Sequence, residues 1–439
     1  MKDEFIAACV ERRNELLGKM LPNSVAVVPA ASLVTRSNDT EYPFRQNSDF
    51  HYLTHFPEPD AVLVLSNSEE FDSQLSALFC LDKDPQAEIW HGRRFGAEEA
   101  MKKFAFDTTH ILDDLDIGLA SYLDGHENLY HARGQHQATD ELIDHVMQQL
   151  REAPKQSKIA PAVIIDLRPL LHEMRLFKTA QELSVMQRAA DISSNAHTQA
   201  MQCCQPGHNE YHLEATIHHT FAMHGAKHPA YGTIVGGGNN ACILHYTQND
   251  ALLNEGDLVL IDAGAELEGY AADITRTFPI NGKFTHEQAT IYQLVLDAQL
   301  ASLQMFKPGN TFKMANDVAI EVLTQGLLEL GLLEGELTDN IDKQTYRAFY
   351  MHGIGHWLGL DVHDVGNYKV DGEDRPFEPG MVMTVEPGLY ISQDAKVNKK
   401  WRGIGVRIED NIVITEYGHR VMTAGVVKTI DEIEQLMAQ

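Results

Sequence analysis

Short aliphatic runs alternate with amphipathic stretches along the first third of the chain. Residues 24–28 (SVAVV) and 61–65 (AVLVL) are short, β-branched and aliphatic runs bounded by Pro, Ser and Asn, which predicts two buried strands. Ahead of them, MKDEFIAACVERR reads as an amphipathic helix opening on acidic residues. Between the two strands lies a polar, aromatic loop region, TRSNDTEYPFRQNSDFHYLTHF. Residues 151–161 are polar, carry two prolines and form the linker candidate. Beyond them the period becomes helical. Thr179 and Glu182 make a capping box before a helix with Leu183, Met186, Ala190 and Ile192 near one face. Thr285 and Gln288 cap another, with Ile291, Leu294, Val295 and Ala298 at helical spacing. A further helix follows Thr311 and ends near Gly331, where glycine suits a left-handed cap. In the His-rich stretch 211–228, Leu213, Ile217 and Phe221 form a core stripe, and its histidines lie on a solvated face.

Four other segments, rich in Val, Ile, Leu and Thr, read as strands, and each carries an acidic residue beside glycine. In GDLVLIDAG, Asp262 lies six residues after Gly256 and two before Gly264. In GMVMTVEPG, Glu386 lies six after Gly380 and two before Gly388. Asp273 stands four residues after Gly269, and Glu409 four after Gly405. Any one of these coincidences is weak. All of them in one order predict a duplicated βαβ-like half, each half giving two carboxylates to a shared site. The fold class is therefore α+β. A C-terminal catalytic domain with an internal pseudo-twofold repeat (residues 166–439) follows a smaller α/β N-terminal domain (residues 1–165), with the boundary placed within 155–175.

An Asp directly after LVLI in a buried strand needs a compensating partner, and several carboxylates buried together need cations. Asp262, Asp273, Glu386 and Glu409, with His356 of HGIGH, make an oxygen-rich ligand set for two divalent ions about 3.5–4 Å apart. Four negative ligands balance four positive charges and leave room for a bridging hydroxide. Oxygen donors without thiolates favour Mn²⁺, with Co²⁺ and Zn²⁺ as alternatives. If residues 406–410 are extended, Arg407 and Glu409 share a face, so Arg407 would orient the Glu409 carboxylate; a surface salt bridge is the alternative. The glycines of HGIGH disfavour a helix, so His352 is expected to reach substrate rather than act as an i, i+4 ligand. His245 (CILHYT) and His363 (LGLDVHDVG) are the remaining pocket candidates, which spacing alone leaves open, since a lone histidine is usually structural. Residues 236–240 (GGGNN) lack the Lys-Ser/Thr of a phosphate loop, and no GxSxG anchors a serine nucleophile.

At 439 residues, 44% apolar and 22% charged, the chain has the composition of a two-domain globular protein. Its net charge of -28 disfavours nucleic acid and anionic membrane as partners. Five cysteines without CxxC spacing form no disulfide framework, and no apolar run approaches the roughly 20 residues of a membrane span. The N-terminal stretch lacks the basic head and apolar core of a signal peptide, so the cytoplasm is the expected compartment.

The motifs LHYT, DLVLIDAG, YAADITRTFP, HGIGHWLGLDVHDVG, TVEPGLY and GIGVRIEDNIVIT resemble those of the pita-bread metallopeptidases, the group that includes prolidase, methionine aminopeptidase and creatinase. The N-terminal TRSNDTEYPFRQNSDFHYLTHFPEPDAVLVL and EIWHGRR resemble the aminopeptidase P (Xaa-Pro aminopeptidase) type, and the likeness spans essentially the whole chain. That resemblance implies a pita-bread catalytic domain and release of the N-terminal residue from peptides with proline second. It also implies roles. Asp262 would hold one metal through both oxygens, and Asp273 and Glu409 would bridge the two. His356 and Glu386 would complete the other, Glu386 also taking the proton of the attacking water. His245 and His363 would contact substrate and stabilise the tetrahedral intermediate, with His352 and Arg407 supporting the pocket. Arg375 would offer the peptide a cation. Trp90 would cap a neighbouring subunit's site in a homotetramer, simple packing being the alternative. Two rival readings remain: an Xaa-Pro dipeptidase (prolidase) with the same metal ligands, and a non-catalytic pita-bread binding protein, which the intact ligand set disfavours.

Overall fold

The computed structural model describes residues 2–68 and 75–439. Its first aliphatic run becomes strand Ser24–Pro29, antiparallel to Val62–Ser66 on one side and parallel to Asn128–Tyr130 on the other. The six-stranded sheet built around it runs Thr108–Ile111, Leu75–Cys80, Val62–Ser66, Ser24–Pro29, Asn128–Tyr130, Val163–Ile165. Positions 24–28 and 62–66 are buried without alternation, as expected of strands covered on both faces. Val25, Val27, Val64 and Phe79 share a core with Leu119 and Leu123 of one helix and Ile143 and Val146 of another. The polar segment 151–161 does not separate domains: strand Val163–Ile165 follows it and closes the same sheet. The compact units are Met1–Met174 and Arg175–Gln439. In the first, helix Pro85–His91 buries none of its side chains and leaves Trp90 82% exposed.

In the second unit the expected helices form where their caps stand. Ala180–Cys203 begins at Thr179 and His286–Leu303 at Thr285, each with a reciprocal capping box, and Phe312–Glu329 begins at Thr311. Gly331, just past the last, has φ +67°, the left-handed conformation that only glycine adopts cheaply. Among the described residues, no helix is long and apolar enough to cross a membrane.

The internal repeat is present but is not βαβ. In the first half, Leu258–Asp262 pairs with Thr275–Pro279 and Ala265–Leu267 with Tyr270–Ala271. In the second, Val382–Val385 pairs with Asp410–Ile414 and Gly388–Ile391 with Ile404–Arg407. All four pairings are antiparallel. No α-helix interrupts either half, and parallel strands would need such a crossover. Each half is a long hairpin broken at matching points, with the carboxylates standing at the breaks. Asp262 closes one strand and Glu386 follows its counterpart, while Asp273 and Glu409 precede the returning strands. The glycine two residues beyond each first carboxylate has a common cause. A Cβ at Gly264 would overlap the Ala272 carbonyl oxygen, and one at Gly388 would crowd the Tyr390 hydroxyl and the Val406 carbonyl.

A buried ion cluster ties the start of this unit to the loop behind HGIGH. Asp364 accepts from Arg175 Nη2 at 2.6 Å and Lys178 Nζ at 2.9 Å, with all three side chains at most 3% exposed. Burial pushes the Asp364 carboxyl up, but Lys178 and Arg175 outweigh it and hold it below its ordinary 3.8. Its stabilising effect is therefore present above the ordinary carboxylate range and is lost as pH falls through the depressed value. Asp364→Asn, which removes the carboxylate charge shared by buried Lys178 and Arg175 and leaves Arg175 its second bond to Asp361 (2.8 Å), is expected to cost about 3 kcal/mol in urea unfolding at neutral pH. The gap from wild type should narrow on acidification below the carboxylate range; an unchanged gap would contradict the assignment.

Candidate metal centre

The carboxylate-bearing breaks of both hairpins converge on a cavity of about 690 Å³ lined by Asp262, Asp273, Glu386, Glu409, His356, His245, His352, His363 and Arg407. His356 is the nitrogen donor among the carboxylates. Its Nε2 lies 3.3 Å from Asp273 Oδ2 and 3.4 Å from Glu386 Oε1, while Nδ1 meets the Trp357 carbonyl at 3.0 Å, which aims the ring. Donor atoms of Asp273, His356 and Glu409 all fall within 4.8 Å of one another, a spacing that fits one metal ion. HGIGH is not helical. It runs beside Val382–Val385, with His356 N on Thr384 Oγ1 (3.0 Å) and Glu386 N on Ile354 O (2.7 Å). A Cβ at Gly355 would overlap the Thr384 carbonyl, so this close approach needs glycine.

The two hairpins hold each other's second carboxylate. Thr275, two residues past Asp273, accepts Glu409 N on its carbonyl (3.1 Å) and donates from Oγ1 to Glu409 Oε2 (2.7 Å). Asn411, two residues past Glu409, accepts Asp273 N on Oδ1 (3.0 Å) and donates from Nδ2 to the Asp273 carbonyl. From the helix behind, fully buried Gln299 donates to the carbonyls of Val385 (3.2 Å) and Ile408 (3.1 Å), the residues preceding the two glutamates.

Arg407 does not grip Glu409 as expected. It donates to Asp262 Oδ2 (2.6 Å), Thr275 Oγ1 (3.1 Å) and the Tyr390 hydroxyl (3.0 Å). The strand Ile404–Arg407 ends at this residue and the next begins at Asp410, so the period-two argument fails across the break. Asp262 Oδ1 accepts from the Tyr231 hydroxyl at 2.5 Å. Tyr231, Tyr390, Thr275, Asn411 and Gln299 escaped sequence reasoning. Tyr390 lies in the quoted TVEPGLY, and Thr275 and Asn411 follow their carboxylates by one strand period, a usable signal; Tyr231 and Gln299 carried none.

Electrostatics define what the site requires. Burial and then Asp262 push the Asp273 carboxyl above its ordinary value. Burial, Asp273 and Glu386 push Glu409 well above its own, and burial drives Glu386 to about 7. Although burial lowers it, His356 rises to about 9 through its bond to Asp273 and the charges of Asp273 and Glu386. His352, between Gly353 O and the Tyr390 hydroxyl (2.8 Å each), is lowered to about 4 by burial and Arg407. His363 stacks edge-on against His356, with centroids 4.2 Å apart. Crowded carboxylates with one guanidinium and one imidazole for cations fit divalent metal, which would relieve their mutual repulsion. Arg375 is not among the lining residues: it is 6% exposed, with its guanidinium over the Phe177 ring. The hairpin Lys369–Val370/Glu373–Asp374 leads into it, and its own N–H bonds Tyr368 O (2.9 Å). Trp90 belongs to the N-terminal unit.

Two broken hairpins that bring carboxylates and an imidazole together on a cavity floor define a metal-dependent hydrolase of pita-bread architecture. Residues 184–416 match the profile described as metallopeptidase family M24, and residues 9–130 the aminopeptidase P N-terminal domain. The chain is 50% identical to the Xaa-Pro aminopeptidase of Escherichia coli (strain K12) over 97% of its own length and 96% of that protein. It superposes on proline aminopeptidase P II from Yersinia pestis with a TM-score of 0.96 at 51% identity, covering 99% of each chain. A substrate complex of an Escherichia coli aminopeptidase P variant gives 0.96 at 49%, covering 99% of this chain and 98% of that one. The chain belongs to metallopeptidase family M24, in its aminopeptidase P branch.

Asn411 is buried, does not line the cavity and is not a proposed ligand, so Asn411→Ala isolates its hold on Asp273. Mn²⁺ titration calorimetry is expected to show affinity about 10–100-fold weaker than wild type. Unchanged affinity would mean that the clamp does not position Asp273.

Proposed function

We infer that the chain is an Xaa-Pro aminopeptidase that releases the N-terminal residue of peptides whose second residue is proline. The observation that carries this is the convergence of Asp262, Asp273, His356, Glu386 and Glu409 on one cavity of a chain belonging throughout to the aminopeptidase P branch. Those five residues would hold two divalent ions, Asp273 and Glu409 being shared, and the oxygen-rich set favours Mn²⁺. Bound there, the ions would polarise the scissile carbonyl and make water more acidic.

The chain's own groups do the rest. Glu386 takes the proton of the attacking water on a carboxylate oxygen and returns it to the departing proline nitrogen. Thr384 Oγ1, 3.2 Å from Glu386 Oε1, fixes that carboxylate's orientation. His245 and His363 contact the peptide and stabilise the oxyanion, while His352, Tyr390 and Arg407 form a bonded row that braces Asp262. The acidic floor accepts the substrate's free amine. Proline lacks an N–H and fixes its own φ, so a pocket shaped to its ring selects it; Leu244 and Val362 supply apolar wall for that purpose.

The full assembly is a homotetramer in which Trp90 covers a neighbouring subunit's site. Supporting this, Trp90 and Ile89 are 82% and 72% exposed on a helix with no buried residue, an arrangement costly for a lone chain. The cytoplasm suits its five free cysteines. A prolidase would share the ligands and differ in how the cavity closes behind proline.

Mn²⁺-loaded and chelator-stripped protein should be assayed on an Xaa-Pro-Xaa tripeptide, on Gly-Pro and on a peptide lacking proline. The expected result is metal-dependent release of the first residue from the tripeptide. Cleavage of the dipeptide alone makes the chain a prolidase. Asp273→Ala and Glu409→Ala are each expected to abolish turnover while circular dichroism stays native; normal activity in either sinks the two-ion reading.

A further inference from the structure

His245 sits on the least regular part of the cavity wall. Residues 243–251 form neither helix nor strand, and the His245 side chain makes no hydrogen bond among the described residues. Its place therefore depends on how the backbone of that loop is pinned. Two neighbours in the loop are buried although His245 is not: Tyr246 is 6% exposed and Asn249 1%. Asn249 bonds back to the strand beside it, accepting from Val235 N and donating to Thr233 O, each at 2.9 Å.

Tyr246 is pinned differently, by a carboxylate that the metal centre does not use. Glu210, at the start of helix Glu210–Met223, is fully buried and pairs with no Lys, Arg or His among the described residues. Its oxygens accept four hydrogen bonds. Oε1 takes Gly237 N (2.8 Å) and Asn240 Nδ2 (3.0 Å); Oε2 takes the Tyr246 hydroxyl (2.8 Å) and Ala251 N (2.9 Å). Burying a carboxylate without a cation is costly, and only a full set of donors makes it tolerable. All four donors lie in, or lead directly into, the segment that carries His245. Burial and Glu210 push the Tyr246 hydroxyl up to about 12, so it remains a donor at neutral pH. The Tyr246 ring shares its core cluster with Ile234, Leu260 and Tyr390, and the Tyr390 hydroxyl bonds His352 and Arg407. The loop is thus tied at one residue both to Glu210 and to the row behind Asp262.

We propose that Glu210, through the Tyr246 hydroxyl, is the positioning residue that holds His245 against the substrate peptide. The proposal rests on reading His245 as a substrate contact, and it goes further by assigning a role to a carboxylate outside the ligand set. A merely structural Glu210 would support stability without any energetic coupling to His245.

The test is steady-state cleavage of an Xaa-Pro-Xaa tripeptide by the full chain loaded with Mn²⁺, in wild type, His245→Ala, Tyr246→Phe and the double variant. Tyr246→Phe, which keeps the ring and removes one donor, is expected to lower kcat about tenfold, equivalent to about 1.4 kcal/mol. In the His245→Ala background the same change is expected to have an effect within about twofold, because the group it positions is gone. Glu210→Gln, which sets an amide donor against two existing donors, is expected to lower kcat at least as much. A tenfold loss in both backgrounds would overturn the proposal, as would wild-type kcat in Tyr246→Phe or Glu210→Gln beside an impaired His245→Ala. Wild-type turnover in His245→Ala alone would overturn the reading of His245 itself, and the proposal with it.

Discussion

Repulsion among buried carboxylates is the constraint on which this structure turns. Asp262, Asp273, Glu386 and Glu409 meet on one cavity floor, and two like charges about 4 Å apart repel by about 4 kcal/mol even at an effective dielectric near 20. Within the site the protein supplies Arg407, committed to Asp262, and His356, facing Asp273 and Glu386. That is too little positive charge, which is why burial and mutual repulsion drive Asp273, Glu386 and Glu409 upward together. Divalent cations resolve the conflict, and the same cations are what peptide hydrolysis needs. Stability and chemistry make one demand on the site.

The scaffold answers by holding the carboxylates from behind. Neither hairpin is continuous: each breaks where an acidic side chain must leave the pleat and face the cavity. The breaks cost ladder hydrogen bonds, and these are replaced across the pseudo-twofold. Thr275 of one half bonds Glu409, Asn411 of the other bonds the Asp273 backbone, and Gln299 joins the carbonyls ahead of both glutamates. Beneath them Arg276, fully buried, donates to the Glu409 carbonyl (2.6 Å) and to Asp410 (2.7 Å), whose other oxygen takes Lys428. The Asp273 and Glu409 backbones are thus held from behind, while both Asp262 oxygens and one oxygen each of Glu386 and Glu409 also accept side-chain hydrogen bonds that orient them.

Substrate-facing groups are held less uniformly. His352 is locked between a carbonyl and Tyr390, and His363 rests on His356, whereas His245 stands on an irregular loop that Glu210 and Asn249 anchor through its neighbours. Loops that carry function on a rigid frame commonly show this division, because the frame must not move and the substrate must enter. Glu210 and Asn249 are the points at which that loop is made rigid.

Much of this was legible before any coordinates. The capping boxes at Thr179 and Thr285 placed two helix starts, and the spaced Gly–acid pairs marked all four carboxylates and the repeat that relates them. These features are local: a cap bonds three residues away, and a strand residue's face follows from its period. What the sequence by itself determined was therefore where the capped helices begin and which carboxylates gather on one cavity. Only the tertiary structure decided that the halves are antiparallel broken hairpins, that Arg407 serves Asp262 rather than Glu409, that the Arg375 guanidinium packs over the Phe177 ring, and that Glu210 closes on Tyr246. Each depends on where two distant pieces of chain meet, and no local period or propensity encodes that meeting.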